Sequence, residues 1–326
     1  MFLNIILIII GFVLLIKGAD FLVDGASEIA KKFHIPEIVI GLTIVAIGTS
    51  MPELVVSVTS ALEGHSDLAI GNVVGSNIAN MFLILGVCSI IKPLLFKKET
   101  RLFEIPFTIF STILLFFLCI NGTNAEMNVV TKEEGLILLV FCVLFIIYNL
   151  IMAKKGEQFD KEDQLIEIRT GEDKEVPVWE ALFGIVIGII GLKLGGDLVV
   201  DNSVEIAKML GITEKLISLT IVAFSTSLPE LITSIAATKK GETDMAIGNI
   251  LGSQIFNIVL IIGLSAFLAP IAYSKSYDSN IILLILGSIM LGLFPFIGKK
   301  NEMTRSNGIF FVLTYIIYLG SIVCFA

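Results

Sequence analysis

The chain has 326 residues, of which 56% are hydrophobic and 16% charged, with a mean hydropathy of +0.95 and a formal net charge of −8. Soluble domains are about 45–50% apolar, so this composition excludes a soluble globular protein. The four cysteines each stand alone in an apolar run, without the spacing of a zinc site or a disulfide framework.

Apolar stretches of about 18 or more residues predict membrane-spanning helices, and they recur along the whole chain. We predict an all-α polytopic membrane protein with ten transmembrane helices. In chain order they cover residues 2–30, 36–61, 67–91, 102–120, 134–153, 178–207, 214–238, 244–269, 280–297 and 307–325. The first lacks a basic leader and a small-residue cleavage site, which favours a retained span over a signal peptide.

Lys and Arg are divided unequally between alternate loops, with 16 on one side of the predicted membrane and 4 on the other. Cytoplasmic loops carry the excess of positive charge. The pattern therefore predicts a plasma-membrane protein with both termini outside and the charged interval 154–177 in the cytoplasm. Lys17 and Lys193 lie within spans, where we expect them to reach the interface or to pair with a neighbouring aspartate.

The sequence repeats itself after 177 residues. Residues 42–80 align without a gap on residues 219–257, and 21 of the 39 positions are identical. LTIVAIGTSMPEL in the first copy matches LTIVAFSTSLPEL in the second. Each copy falls in a five-helix half, and an odd number of helices inverts the second copy in the membrane. We therefore predict two inverted repeats, at 1–153 and 178–326, joined by the loop 154–177; such repeats bind their cargo near the midplane on interrupted helices.

Both copies carry oxygen donors inside apolar sequence. They are Thr49, Ser50, Glu53, Ser76, Asn77 and Asn80 in the first copy, and Thr226, Ser227, Glu230, Ser253, Gln254 and Asn257 in the second. An ionisable residue inside the membrane indicates function, and the proline before each glutamate removes an amide donor and opens the helix. Carboxylate, hydroxyl and amide oxygens suit hard cations such as Ca²⁺ and Na⁺. The glycines of the repeated GNxxGS stretch fit either close helix packing or function.

The paired Gly-Thr-Ser-x-Pro-Glu and Gly-Ser-x-x-x-Asn motifs resemble the α-repeats of the sodium/calcium exchangers, in the cation/calcium antiporter superfamily, over essentially the whole chain. The resemblance implies a secondary antiporter that exchanges Na⁺ for Ca²⁺ by alternating access, with the first and sixth helices sliding as a gate. It implies no enzymatic activity, no cofactor, no nucleic-acid partner, no regulatory domain and a functional monomer in the bilayer. The implied cation ligands are Glu53, Glu230, Asn80, Asn257, Ser50, Ser227, Thr49, Thr226, Ser76 and Ser253, with the backbone carbonyls of Ala46 and Ala223.

Two departures from the family pattern bear on the choice of ion. Ser225 replaces a glycine and stiffens the second interruption, and Asn257 stands where the potassium-dependent branch carries Asp, which favours a potassium-independent exchanger. A proton-coupled calcium exchanger is the alternative, although such relatives usually have Gly-Asn-x-x-Glu in place of Gly-Thr-Ser-Met-Pro-Glu. A passive cation channel is a more remote one. An intramembrane protease would need two aspartates in a cleft and would leave the repeated hydroxyls and amides without a role.

Overall fold

The computed structural model describes residues 1–120, 128–167, 176–211, 223–297 and 301–325. Helices make up most of this described chain. In chain order they are α1 (Phe2–Lys32), α2 (Glu37–Thr49), α3 (Met51–Leu62), α4 (Ser66–Ile91), α5 (Thr100–Ile120), α6 (Lys132–Glu167), α7 (Val178–Met209), α8 (Ala223–Ser225), α9 (Leu228–Lys240), α10 (Thr243–Leu268), α11 (Lys275–Phe296) and α12 (Arg305–Phe325).

The helices confirm a multi-pass, all-α membrane protein. Within the described residues, eight helices are long and apolar enough to cross a membrane alone, and α2 with α3 can form a ninth, bent crossing. Nine of the ten predicted spans coincide with these crossings to within a few residues. The tenth, predicted at 214–238, is represented by α8 and α9, and its first part, 214–222, lies outside the described residues.

One interval that was expected to be a loop begins as a helix. The interval 154–177 was expected to be a loop from its first residue, but α6 continues as a helix to Glu167. Its sequence is rich in Glu, Lys and Gln, which have high helix propensity in water. A helix that leaves the membrane into such a sequence can therefore continue beyond the end of its apolar span at Lys154.

Helices α1 and α7 pack backbone against backbone along a row of glycines. Gly11, Gly18 and Gly25 recur at every seventh position of α1 and face α7. A Cβ atom on Gly18 would lie 2.8 Å from the carbonyl oxygen of Gly188, and one on Gly25 would lie 2.5 Å from that of Ala181. Small residues permit this close approach in membrane helix pairs, so the two helices form one tightly packed pair.

Glycines of the repeated GNxxGS stretch have the same role between α2 and α10. A Cβ on Gly248 would lie 2.5 Å from the carbonyl oxygen of Ile38, and one on Gly252 would lie 2.8 Å from that of Leu42. These two positions support the packing interpretation of the glycines. In α4, a Cβ on Gly75 would meet no atom of the described residues within 4 Å.

Two short antiparallel sheets connect the halves of the chain. Strand β1 (Leu94–Leu95) pairs with β4 (Glu302–Met303), and β2 (Asn128–Val130) pairs with β3 (Ile271–Tyr273). Each pair joins a segment of the first half to one of the second. These strands are too short to be predicted from alternating hydrophobicity, and the sequence analysis did not foresee them.

Ion pairs join Lys17, Lys193 and Lys240 to aspartates of α1 and α7. The expected local pairs are present, with Lys17 Nζ 3.9 Å from Asp20 Oδ2 and Lys193 Nζ 2.7 Å from Asp197 Oδ2. A further pair was not predicted. Lys240, the last residue of α9, lies 2.7 Å from Asp24 Oδ1 and 3.3 Å from Asp20 Oδ1. Lys240 therefore connects the C-terminal end of α9 to α1 by ion pairs.

Candidate cation site

The candidate site lies where the helical chain is interrupted in each half. Helix α2 ends at Thr49 and α3 begins at Met51, with a bend of 51° between them. In the second half, α8 ends at Ser225 and α9 begins at Leu228. Ser50 and Ser227 occupy the position before α3 and α9, with non-helical backbone angles. The repeated motif therefore produces the same interruption twice.

The prolines begin new helices. Pro52 and Pro229 lie in the first turn of α3 and α9, where the first amides have no helical acceptor and the missing N–H of proline costs little. The predicted interruptions are therefore confirmed, although each proline starts a helix and does not kink a continuous one. Glu53 and Glu230 follow in the same first turns, where the helix dipole favours a negative charge.

The backbone widens at three places around these interruptions. Residues 41–45 of α2, 79–84 of α4 and 257–262 of α10 are π-helical. Such segments are rare and frequently occur at functional sites. Asn80 lies in the second segment and Asn257 begins the third, so both predicted amide ligands stand where the helix is locally unwound.

The two glutamates are buried, with relative exposures of 1% for Glu53 and 0% for Glu230. Glu230 Oε1 accepts a hydrogen bond from Ser50 Oγ at 2.8 Å, and Glu53 Oε1 accepts one from Ser76 Oγ at 3.4 Å. Within the described residues, the second oxygen of each carboxylate has no hydrogen-bond partner. Each glutamate therefore presents one uncommitted carboxylate oxygen in the protein interior.

Hydrogen bonds between hydroxyls connect the two copies of the motif. Ser50 Oγ of the first half lies 3.0 Å from Ser253 Oγ of the second, in addition to its bond to Glu230. Ser76 Oγ lies 3.3 Å from Thr226 Oγ1. The structure therefore joins six of the predicted residues in two clusters that each combine both halves.

The other predicted residues lie in α2, α4, α8 and α10, or in the break between α8 and α9. Asn257 Nδ2 donates to Asn77 Oδ1 at 2.9 Å, and Thr49 Oγ1 donates to Asn249 Oδ1 at 3.1 Å. The Ala46 carbonyl accepts both the Ser50 amide at 3.0 Å and the Thr49 hydroxyl at 3.3 Å. Ala223 begins α8. Four further groups of the predicted donors are buried without a hydrogen-bond partner in the described chain, namely the Asn80 and Gln254 side-chain amides, Ser227 Oγ and Asn257 Oδ1.

This arrangement suits a hard cation. A buried polar atom without a partner costs about 1–3 kcal/mol, and several of them coincide here with two carboxylates. A cation that takes its ligands from these oxygens would remove that cost and balance the negative charge. Among the described residues, no group of three or more His, Cys, Asp or Glu side chains could hold a metal ion. The donor set is therefore two carboxylates with neutral oxygens.

Two contacting residues were missed by the sequence analysis. Asn72 and Asn249 are buried and bond to Thr226 and Thr49, respectively. The signal was present in the sequence, because both asparagines belong to the repeated GN dipeptide and lie 177 positions apart.

Comparison with known proteins identifies the family. The model of the sodium/calcium exchanger protein family matches residues 3–151 and 180–323. The sodium/calcium exchanger MaX1 of Methanosarcina acetivorans is 31% identical over 343 residues, covering 97% of both chains, and the inner membrane protein YrbG of Escherichia coli is 34% identical over 323 residues, covering 96% of this chain and 95% of YrbG. A solved structure of the sodium-calcium exchanger NCX_Mj superposes with a TM-score of 0.81 at 32% identity, covering 98% of both chains. The chain therefore belongs to the sodium/calcium exchanger protein family, which consists of membrane transporters and not of enzymes.

Proposed function

We propose that the protein exchanges Na⁺ for Ca²⁺ across the membrane, with both ions as cargo of the site between Glu53 and Glu230. One observation carries the proposal: two fully buried carboxylates, from different halves of the chain, each keep an oxygen without a partner in the described residues. The relatives MaX1 and NCX_Mj are sodium/calcium exchangers, which supports the assignment.

The charge of the site accounts for competition between the ions. Two carboxylates compensate one Ca²⁺, and the same negative charge can be balanced by Na⁺ ions that use the hydroxyl and carbonyl oxygens around it. Ten residues supply the side-chain ligands, and Ala46 and Ala223 supply carbonyls. The side-chain ligands are Glu53, Glu230, Asn80, Asn257, Ser50, Ser227, Thr49, Thr226, Ser76 and Ser253. The site needs no cofactor, because the transported ions bind directly to the oxygens of the protein.

The architecture in this proposal is a pair of inverted repeats, 1–153 and 178–326, joined by a cytoplasmic segment 154–177, with both termini outside. Alternating access arises when the α1–α7 pair moves across the remaining helices and exposes the site to one side at a time, within a single protomer. Two features support it: the glycine contacts that unite α1 with α7, and the hydroxyl contacts that cross between the two halves.

Reconstituted protein tests the function directly. In proteoliposomes loaded with Na⁺, an outward Na⁺ gradient should drive ⁴⁵Ca²⁺ uptake, and an outward proton gradient of equal size should not, because hydroxyl and carbonyl oxygens coordinate Na⁺. Vesicles with equal Na⁺ on both sides are the control. Uptake under the proton gradient alone would assign the protein to the proton-coupled exchangers, and uptake without any counter-ion would indicate a channel.

We expect Asn257→Asp to preserve calcium transport and to change cation preference. Asn257 is fully buried, and its Oδ1 has no partner among the described residues. A carboxylate there keeps the oxygen ligand and adds negative charge, while it loses the bond that Nδ2 donates to Asn77. The measurement is Na⁺-driven ⁴⁵Ca²⁺ uptake with and without K⁺, in which the variant should respond to K⁺ more than the wild type.

Asn257→Leu is the matched control, since it removes the oxygen at similar size and should lower Ca²⁺ uptake. Identical ion dependence in the wild type and the Asp variant would remove Asn257 from the proposed ligands.

A further inference from the structure

Two asparagines outside the proposed ligand set contact threonines that belong to it. Thr226 Oγ1 lies 3.2 Å from Asn72 Oδ1, and Thr49 Oγ1 lies 3.1 Å from Asn249 Oδ1. Both asparagines are buried, at 8% and 1% exposure. Each contact crosses between the halves of the chain, because Asn72 is in α4 and Asn249 is in α10.

The chemistry of its other partners fixes the orientation of the Asn72 amide. Asn72 Nδ2 lies 3.3 Å from the backbone oxygen of Glu53 and 2.9 Å from Ser57 Oγ. A backbone carbonyl can only accept, so the atom that faces Glu53 must be the nitrogen. The atom that faces Thr226 is then the amide oxygen, and the threonine hydroxyl donates to it.

The second copy repeats this arrangement. Asn249 Nδ2 donates to Ser234 Oγ at 2.9 Å, and Ser234 lies 177 positions after Ser57, just as Asn249 does after Asn72. Thr49 donates to Asn249 Oδ1 and shares its proton with the Ala46 carbonyl at 3.3 Å, which is also an acceptor. The second copy therefore has the same polarity as the first.

The direction of these hydrogen bonds decides whether each threonine oxygen has a free lone pair for a cation. A hydroxyl has one proton and two lone pairs. When the proton of Thr226 is directed to Asn72, and that of Thr49 to Asn249, the oxygens retain lone pairs for other contacts. A hydroxyl proton that pointed at a cation would repel it, so the direction of this one bond decides whether the threonine is a ligand.

We infer that Asn72 and Asn249 are positioning residues that orient the hydroxyls of Thr226 and Thr49, each across the interface between the halves, so that their oxygens accept the transported cation. The inference rests on the proposed function. It also predicts a crossed pattern of coupling, because each asparagine acts through the threonine of the opposite repeat and not through the threonine of its own.

A double-mutant cycle measured by equilibrium ⁴⁵Ca²⁺ binding to detergent-purified full-length protein tests this pattern. Asn72→Leu removes the amide at similar size and should weaken Ca²⁺ binding about tenfold, the effect of losing one buried hydrogen bond. Combined with Thr226→Val, it should add little to the loss caused by Thr226→Val alone. Combined with Thr49→Val, the two losses should multiply.

The reciprocal cycle strengthens the test. Asn249→Leu should couple with Thr49→Val and be independent of Thr226→Val. The control is Asn149→Leu in α6, which removes an equally buried amide that donates to the Phe145 carbonyl at 2.9 Å. This variant should lose a similar amount of folding free energy, because it also removes a buried asparagine. Its Ca²⁺ affinity should equal that of the wild type.

The outcomes distinguish failure of the positioning role from failure of the proposed function. If the wild type binds Ca²⁺ and all four double variants multiply, or if the folded Asn72→Leu protein binds as tightly as the wild type, the positioning role is wrong and the proposed function stands. If the wild type binds no Ca²⁺, the proposed function itself fails. Should a leucine variant not fold, Asn72→Ser and Asn249→Ser remove the amide oxygen with a smaller, polar side chain and enter the same cycles.

Discussion

Replacement of Glu53 or Glu230 by Gln should abolish calcium transport. Each substitution preserves the shape of the side chain and removes half of the negative charge of the candidate site. Both glutamates are buried, and the loss of one carboxylate from its buried contact with the Ca²⁺ charge costs about 3–5 kcal/mol, or roughly a hundredfold or more in affinity. Na⁺-driven ⁴⁵Ca²⁺ uptake into proteoliposomes should fall to the level of empty vesicles for either variant.

The matched control is Glu104→Gln. Glu104 is also buried, at 2% exposure, but it lies in α5 and accepts a hydrogen bond from Tyr148 at 3.1 Å. Its variant should transport calcium, which separates loss of the site from the general effect of neutralising a buried glutamate. Near-normal flux through Glu53→Gln or Glu230→Gln would show that the glutamate pair is not the central ligand.

The second large effect concerns stability. Gly195→Ala should destabilise the protein by about 1–3 kcal/mol, the usual cost of overpacking, because the new Cβ would lie 2.7 Å from the Gly11 carbonyl oxygen and 2.8 Å from the Leu15 amide nitrogen. Neither backbone atom can move without separating α1 from α7. Thermal unfolding in detergent, followed by loss of the monodisperse peak in size-exclusion chromatography, should show a lower midpoint.

Another glycine of α7 provides the comparison. A Cβ on Gly184 would lie 3.4 Å from the Phe21 carbonyl oxygen, an ordinary van der Waals contact, so Gly184→Ala should keep the wild-type midpoint. Equal midpoints for the two variants would mean that the α1–α7 contact is looser than the structure indicates.

The sequence was sufficient for the positions of the spans and for the repeated motif. Hydrophobic runs locate helices well because the bilayer imposes a minimum apolar length, and α1, α4 and α10 begin and end within a few residues of their predicted bounds. Glu53 and Glu230 were selected because a charged residue inside an apolar run is costly, and two such residues occur at matched positions.

Other features depend on partners that are distant in the sequence. The contact of Asn72 with Thr226 requires α4 to meet the break between α8 and α9, 154 positions later, at a defined rotation, which no local pattern encodes. The π-helical turns at Asn80 and Asn257 have no established sequence signal. The extension of α6 to Glu167 was missed because charge was interpreted as loop, although the same residues favour helix in water.

The glycine contacts between α1 and α7 also determine the order in which the protein can assemble. Helix α1 is synthesised first, but its partner begins only at Val178. Until then, the glycine face of α1 has no α7 to pack against. The helix pair therefore closes late in biosynthesis, after the first five predicted spans have been inserted, and contacts of such long sequence separation are slow to form. A ribosome stalled before Val178 would leave α1 in the bilayer without its principal partner.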